Sequence, residues 1–255
     1  MSGLRLEPGR PVEGRRLAEI DWTDLAGEDA VFRDCVFDGA RFAGTQFAGA
    51  RFERCRFEGC RFAQAELPGA VFESCVFAAG EPGGDRGGGV GFLLCNLRGA
   101  RFLRCDLSLS RFERCDMFDI AMDDCALRGA RFVKADFSHA YSRRLVTTRA
   151  SFRHCRFELA ELAELRLSGC DLTGSRFREA DLSGCDLTGA VLRDADLFQA
   201  ELDGAKLAGA DLRGAEISGL TLTRLAGFAG LKITQAQQHL LLDALGVDVH
   251  SDEGG

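Results

Sequence analysis

Eleven cysteines and four histidines are the residues of this 255-residue chain that could hold a metal ion, form disulfides or act as nucleophiles. The histidines are scattered, and outside a longer regularity no cysteine or histidine pair has the spacing of a zinc site. That regularity is simple, because the number of every cysteine is a multiple of five. The cysteines are Cys35, Cys55, Cys60, Cys75, Cys95, Cys105, Cys115, Cys125, Cys155, Cys170 and Cys185. A five-residue period therefore places them, and an internal repeat is the first feature to test.

The large apolar residues follow the same period. Between Phe32 and Leu222, positions ending in 2 or 7 form 35 clear repeats, whose central residues are 17 Phe, 15 Leu, two Met and one Ile. Two residues before each centre stands a small residue, usually Ala or Cys. A five-residue period fits neither the 3.6 residues of a helical turn nor the two-residue alternation of an ordinary strand.

A four-sided coil satisfies this period. Each repeat forms one side, the small and the large residue point inward, and four repeats of 20 residues complete a turn. Stacked turns then form parallel ladders at roughly 4.8 Å, and the 35 repeats predict nearly nine turns. Cys35, Cys55 and Cys75 should stack on one face as reduced structural thiols, in preference to a metal site or disulfides.

Two interruptions break the period and are predicted to be loops. Residues 78–91 hold seven Gly and one Pro, but no Lys-Ser or Lys-Thr pair follows them as in a phosphate-binding loop. Residues 138–151 include Arg143, Arg144 and Arg149 on an otherwise acidic protein. This second loop is either a tolerated surface insertion or a functional element, since loops on a rigid scaffold commonly carry function.

Both ends of the coil need covers. Residues 1–30 are predicted to be an N-terminal extension and cap with an irregular first coil, followed by the repeats of 31–222. Residues 223–247 are predicted to form a capping helix that begins with the capping box Thr234-x-x-Gln237 and ends at Gly246. Its apolar stripe should cover the last coil and also meet a second copy across a two-fold axis. The stripe includes Leu240, Leu241, Ala244 and Leu245. Residues 248–255 are expected to be disordered.

The charge balance excludes several functional classes. The net charge of −7 argues against a general nucleic-acid or anionic-membrane binder. No apolar run reaches the roughly 18 residues of a membrane-spanning helix, and the N-terminus lacks the apolar stretch of a secretory signal. We therefore expect a cytoplasmic protein. Since no nucleophile motif appears and the inward positions lack acids and histidines, we also expect no catalysis, no metal and no cofactor.

The negative charge is concentrated in the C-terminal part. Residues 1–150 hold 22 acidic and 22 basic residues, whereas residues 151–255 hold 17 acidic and 10 basic residues. Many of these acids directly precede a central apolar residue and form a predicted acidic face. They are Glu161, Asp171, Asp181, Asp186, Asp196, Glu201, Asp211 and Glu216. Three of them, 20 residues apart, should stack as one ladder. The rod then has about half the linear charge of duplex DNA, which suits either partial DNA mimicry or an ordinary solvated face.

The periodicity resembles that of the pentapeptide-repeat family, whose fold is a right-handed quadrilateral β-helix. Within that family the chain looks like the Qnr-type quinolone-resistance proteins. Three segments carry this resemblance: Cys105-Asp106-Leu107-Ser108 leading to Phe112, Thr147-Thr148-Arg149, and Cys170-Asp171-Leu172 leading to Phe177. The terminal stretch 231–249, LKITQAQQHLLLDALGVDV, is similar to the C-terminal dimer helix of that family.

The resemblance implies a head-to-head homodimer that binds DNA gyrase or topoisomerase IV where the enzyme receives DNA. Such a protein relieves poisoning by quinolones or natural gyrase toxins, and its loops contact the topoisomerase. Carried over, the contacts are Glu81, Asp85 and Arg86 of the first loop, and Arg143, Arg144, Thr147, Thr148 and Arg149 of the second. The first loop is longer and richer in Gly than that of the family. The alternative is a pentapeptide-repeat scaffold for a different protein partner.

Overall fold

Short strands, most of them three residues long, recur at multiples of five residues in the computed structural model, which describes residues 6, 10–18, 20–79, 88–142 and 145–248. One α-helix, α1 Gln238–Ala244, and two 3-10 helices, Leu222–Arg224 and Gln235–Gln237, follow the repeats. The strands are β1 Val12–Glu13, β2 Arg16–Ala18, β3 Val31–Arg33, β4 Val36–Asp38, β5 Arg41–Ala43, β6 Arg51–Glu53, β7 Arg56–Glu58, β8 Arg61–Ala63, β9 Val71–Glu73, β10 Val76–Ala78, β11 Gly91–Leu93, β12 Arg101–Leu103, β13 Arg111–Glu113, β14 Ile120–Asp123, β15 Arg131–Val133, β16 Ser138–Ser142, β17 Leu145–Thr148 and β18 Ala150–Arg153.

The strands form the sides of a four-faced coil. Face 1 is a seven-stranded parallel sheet in the order β1-β3-β6-β9-β12-β14-β18. Face 2 contains β2, β4, β7 and β10, and face 3 contains β5, β8, β11, β13 and β15. Face 4 is held by single parallel bridges that run from Ala26 to Asp136. The predicted all-β, quadrilateral coil with a short C-terminal helix is confirmed.

The register shows how the chain climbs. Phe32 pairs with Phe52 and Phe52 with Phe72, so one turn takes 20 residues, as the period predicts. Phe62, however, pairs with Phe92, and Met122 pairs with Phe152. Each interruption therefore removes ten residues, the length of two repeats, from the coil. After β18, single bridges continue face 1 from residue 151 through 171, 191 and 211 to 232.

The core consists of columns of side chains that repeat the ladder spacing. The Phe52 and Phe72 rings stack with centroids 4.8 Å apart and planes 5° apart, and the Phe42 and Phe62 rings stack at 4.4 Å. These distances match the roughly 4.8 Å between paired strands, because each ring sits above the same position of the previous turn. The parallel ladder thus imposes face-to-face stacking, although aromatic rings generally prefer offset or edge-to-face pairs.

The corners need a left-handed backbone two residues after each centre. Gly209 adopts this conformation with φ of +68°, and a side chain there would contact the backbone of Gly189 one turn earlier. Glycine is nevertheless not required, since 19 described residues other than Gly have positive φ, and all of them stand at positions ending in 4 or 9. Leu109 and Leu159 are examples. Burial of the flanking apolar residues evidently outweighs the local cost of this conformation.

The regular coil begins within the segment predicted as an N-terminal extension. Val12 pairs with Phe32, Leu17 pairs with Phe37, and Trp22 lies 5.2 Å from the Phe42 ring. The first turn therefore keeps the five-residue register and is not irregular. Gly27 occupies the fourth central position, where a side chain would collide with Phe47 and with Leu6.

The last turn departs from the register by one residue. Lys206 bridges to Gly227 and Asp211 bridges to Lys232, so the spacing becomes 21 residues. The extra residue is taken up beside the 3-10 helix Leu222–Arg224, where Leu222 is only half-buried. The chain then crosses the end of the coil and enters α1. The predicted disordered tail, apart from Asp248, lies outside the described residues.

Candidate functional site

The cysteines are structural components of the core. All eleven are buried free thiols, and Cys35, Cys55 and Cys75 belong to one column, as predicted. Each of these thiols lies within hydrogen-bonding distance of a carbonyl of the previous turn, for example Cys75 Sγ 3.2 Å from the Phe52 oxygen. Ser175 makes the same contact through Oγ at 2.8 Å from the Phe152 oxygen. The cysteines are thus small apolar residues that also satisfy backbone acceptors.

Burial also suppresses thiol chemistry. It raises the pKa of Cys60, Cys170 and Cys185 to about 12, because a thiolate is poorly solvated inside the coil. In the part of the chain that the structure describes, no three His, Cys, Asp or Glu residues are grouped to hold a metal ion. Candidate functional groups therefore lie on the outer faces, at the interruptions and at the ends.

The second interruption is a β-hairpin rather than an irregular loop. Strands β16 and β17 pair antiparallel, with Thr148 opposite Ser138 and Thr147 opposite His139. The base is fixed to the rod by an ion pair from Arg149 Nε to Asp119 Oδ1 at 2.8 Å. Thr147, Thr148 and Arg149 therefore anchor and shape the base of the hairpin, whereas Arg143 and Arg144 lie outside the described residues.

The exposed end of the hairpin is apolar. Tyr141, Leu145 and Val146 are 61%, 53% and 55% exposed, in contrast to the Phe and Leu of the repeats. His139 supports Tyr141 with ring centroids 4.5 Å apart, and His139 itself packs on Phe118. Sequence reasoning concentrated on the charged residues and missed this tip. The available signal was Tyr141, the single tyrosine of the chain, placed inside a break of the period.

The Gly-rich interruption leaves the rod at the opposite corner from the hairpin. It follows β10 on face 2 and precedes β11 on face 3, whereas the hairpin connects face 4 to face 1. Glu81, Asp85 and Arg86 lie outside the described residues. Its described end is tightly packed, because a side chain at Gly89 would collide with the backbone of Ser108, Leu109 and Ser110.

The predicted acidic ladder is present on face 3. Glu161 bridges to Asp181 and Asp181 to Glu201, so the three side chains follow one another up the rod. Arg131 pairs with Glu161 at 3.0 Å and Arg224 pairs with Glu201 at 3.5 Å at the two ends of this ladder. Asp181 in the middle accepts hydrogen bonds from Ser183, at 2.9 Å from its backbone nitrogen.

The remaining predicted acids do not form a continuous acidic surface. Arg178 pairs with Asp196, while Arg193 and Arg213 both pair with Asp211 at 2.7 Å. Asp211 is only 5% exposed, and its pKa is held well below the usual range by Arg213 first and by Arg193 in addition. It is a neutralised structural group rather than part of an exposed face.

Asp171, Asp186 and Glu216 form a third group of predicted acids. Each of them accepts a hydrogen bond from the backbone nitrogen two residues later, at 3.1, 3.1 and 2.8 Å respectively. For Glu216, the hydrogen bonds from Ser218 hold the pKa below its usual range. Each of these carboxylates remains charged and is oriented along the outer surface.

The C-terminal helix divides its apolar residues between two directions. The capping box is present, and Gln237 also donates from Nε2 to the carbonyls of Leu212 and Ala215 at 2.8 and 2.7 Å. This amide therefore clamps the start of the helix to the last regular turn. Leu241 is buried against the same core and Leu240 is half-buried there.

Two of the four proposed dimer residues face solvent. Ala244 is exposed and Leu245 is 44% exposed, next to Val247 at 45%. Gly246, with φ of +73°, ends the helix as predicted. Leu240 and Leu241 thus cover the coil of their own chain, and the surface left for a second copy consists of Ala244, Leu245 and Val247.

One shallow cleft of about 320 Å³ lies near this end of the coil, beside Phe198, Leu220 and Arg224. Arg224 is paired with Asp203 and Glu201, and Arg178 lies over the Phe198 ring at 5.5 Å. The charged groups of the cleft therefore satisfy one another. Over the described parts of the chain, no helix is long and apolar enough to cross a membrane.

Comparisons with known proteins agree with this architecture. Two family models, both described as pentapeptide repeats, match residues 28–80 and residues 148–178, 175–214 and 190–224. A trypsin-treated variant of QnrB1, a plasmid-mediated fluoroquinolone resistance protein, has a TM-score of 0.71 at 22% identity over 94% of this chain and 99% of its own. Full-length QnrB1 has a TM-score of 0.63 at 24% identity over 93% and 100%. No curated protein matches the sequence.

These identities are low enough that the solved structures support the fold alone. The repeat matches cover the coil on both sides of the hairpin, in the segments where the five-residue register is regular. The chain belongs to the pentapeptide-repeat family.

Proposed function

We propose that this protein binds a type II topoisomerase, DNA gyrase or topoisomerase IV, and protects it from quinolones or natural gyrase poisons. The observation that carries the proposal is the hairpin, an apolar tip held at a fixed position on a rigid rod. Tyr141, Leu145 and Val146 are exposed there, while the base is tied down through Arg149 and Asp119. A rigid aromatic and aliphatic anchor is the type of group that dominates protein–protein binding energy.

The rod supplies a second, weaker contribution. Glu161, Asp181 and Glu201 present carboxylates at steps of roughly 4.8 Å along one face. A protein surface that receives DNA is basic, so such a row is attracted to it and competes with phosphates. Ion pairing at both ends of the row makes this electrostatic mimicry partial, and the hairpin therefore provides most of the specificity.

The fold comparison supports the same function. The chain corresponds to nearly the whole length of QnrB1, a fluoroquinolone resistance protein, with the same fold. In the proposed complex the protein acts without chemistry of its own. It occupies part of the DNA-receiving surface and displaces the drug-stabilised cleavage complex, as a homodimer joined through Ala244, Leu245 and Val247.

A supercoiling titration tests the proposal. Purified gyrase is inhibited with a fluoroquinolone, and the protein is added over a concentration series. We expect the wild type to restore supercoiling, and the triple variant Tyr141→Ser, Leu145→Ser, Val146→Ser to need at least about tenfold more protein, because it loses the anchor. Leu93→Ser, an equally exposed apolar residue on face 3, is the matched control and should behave as wild type.

Deleting residues 139–148 provides a second variant. The deletion removes ten residues, which is two repeats, so the coil on either side keeps its register. Loss of protection together with retained folding would assign the activity to the hairpin. If the wild type neither binds nor rescues gyrase or topoisomerase IV, the proposal is wrong and the protein is a scaffold for a different partner.

A further inference from the structure

Face 3 carries one row of side chains that changes sign along the rod. Four of its five strands begin with an exposed arginine, and the fifth, β11, begins with Gly91. The row is held in register by the parallel pairing of the strands and then continues through bridges to the acidic ladder. In order, the row is Arg41, Arg61, Gly91, Arg111, Arg131, Glu161, Asp181 and Glu201. Basic residues therefore occupy the N-terminal part of this face and acidic residues the C-terminal part.

The edge of the same face repeats the change of sign. Lys134 and Glu164 are both exposed corner residues with positive φ, one turn apart on either side of the boundary. Between the row and the edge lie Val133 and Ala163, which are half-buried and uncharged. The centre of the face is thus a small apolar strip with charged residues on both sides of it.

We propose that face 3 docks against face 3 of a second copy in antiparallel orientation. The two-fold axis lies in the interface, between the turn of Arg131 and the turn of Glu161. Arg131 then faces the partner's Glu161, Arg111 faces the partner's Asp181 and Lys134 faces the partner's Glu164. Symmetry repeats each contact, and the Val133 and Ala163 strips meet at the centre.

The spacing favours a second copy over a nucleic acid. Both copies climb by the same ~4.8 Å per turn, so the pairs stay in register over all four turns of the contact. The phosphates of one DNA strand advance by ~3.4 Å each and would lose register with the arginines. A parallel arrangement of two copies would place arginine against arginine and acid against acid, which repulsion disfavours.

This interface uses the same acids that the proposed topoisomerase contact uses. Self-association through face 3 therefore hides the acidic ladder, and a basic partner must displace the second copy to reach it. The interface is separate from the C-terminal helix, and it is studied with the purified protein alone. Its test consequently does not depend on topoisomerase binding.

Sedimentation velocity of the full chain at ~50 mM and ~500 mM salt tests the proposal, because exposed charge pairs weaken as the screening length falls. We expect self-association at low salt that weakens at high salt. Arg111→Glu and Asp181→Arg should each weaken it at least about tenfold, because each creates like-charge pairs at the interface. Arg101→Glu, at the exposed start of β12 on face 1, is the matched control and should have no effect.

The double variant Arg111→Glu, Asp181→Arg is the decisive measurement. Within one chain these residues are three turns apart, roughly 14 Å, so they do not contact each other. Recovery of self-association in the double variant therefore requires pairing between two copies. Single variants that associate as the wild type does, or a folded double variant without recovery, would overturn the proposal. Arg111-dependent binding of a labelled DNA duplex, without self-association, would overturn it in favour of a nucleic-acid surface.

Discussion

The coil before the hairpin and the coil after it share one backbone register but differ in core and surface. Before the hairpin, most centres are Phe, the sides are mainly three-residue strands, and both interruptions occur there. After β18, most centres are Leu and every side is held by single bridges. Acidic and basic residues balance up to residue 150, and the whole excess of negative charge lies beyond it.

This difference shows that the fold constrains only the inward positions. Stacked rings and stacked leucines both fill the coil, since each column needs only one side chain per turn to pack on the next. The outward positions are free to vary, so one part of the rod carries the hairpin and a basic row while the other carries an acidic row. Stability and binding are therefore largely separable in this molecule.

The largest expected effect tests the two cores against each other. Phe52→Ala should destabilise the protein by about 3–5 kcal/mol, since it leaves a cavity and removes the stacked contacts to Phe32 and Phe72. Leu187→Ala, equally buried in the leucine-rich part, should cost about 1 kcal/mol less, because no ring stacking is lost. Urea unfolding followed by circular dichroism measures both, and equal losses would show that stacking adds nothing.

The C-terminal helix allows stability and association to be separated. Leu241→Asp buries a charge against the last turn and should lower the free energy of unfolding by several kcal/mol. Leu245→Asp, on the exposed side, should change it by less than about 0.5 kcal/mol and abolish the proposed end-to-end dimer. Light scattering in high salt, where face 3 is screened, reports the mass. A Leu245→Asp variant with the mass of a dimeric wild type would place the dimer interface elsewhere.

A smaller effect concerns pH and compares a buried ion pair with an exposed one. Arg213 lowers the pKa of Asp211 in the folded state. Asp211 therefore stabilises the fold above its unfolded pKa of about 3.9, and this contribution is lost as the pH falls toward the lower folded value. The difference between wild type and Asp211→Asn should thus be largest near pH 7 and shrink below pH ~4.

The matched control for this pair is Asp34, which pairs with Arg54 on the surface of the Phe-rich part. Both side chains are more than half exposed. Asp34→Asn should change stability by at most about 1 kcal/mol at any pH, because water screens the pair. Urea unfolding from pH 3 to 7 measures both variants. A pH-independent difference for Asp211→Asn would show that its carboxylate has an ordinary pKa in the folded protein.

The five-residue period was sufficient to predict the coil, the inward Phe and Leu, the cysteine column, the ladder Glu161-Asp181-Glu201 and the end of the helix at Gly246. It was insufficient for the hairpin, because antiparallel pairing of 138–142 with 145–148 has no five-residue signature. It also placed Asp211 on an acidic face, although two arginines from neighbouring positions neutralise it. The direction of Leu241 depended on the extra residue in the last turn, which no repeat pattern reveals.

The spacing of apolar and small residues by itself determined the four-faced coil, since a side chain recurring every fifth residue can be buried at every recurrence only if each repeat forms one side. The tertiary structure alone decided which outward residues become neighbours. Turns of 20, 21 or 30 residues bring different side chains into the same row, and so the arginine row of face 3 meets its acidic row at Arg131 and Glu161. Local periodicity governs burial, whereas contacts between turns depend on the length of chain inserted between them.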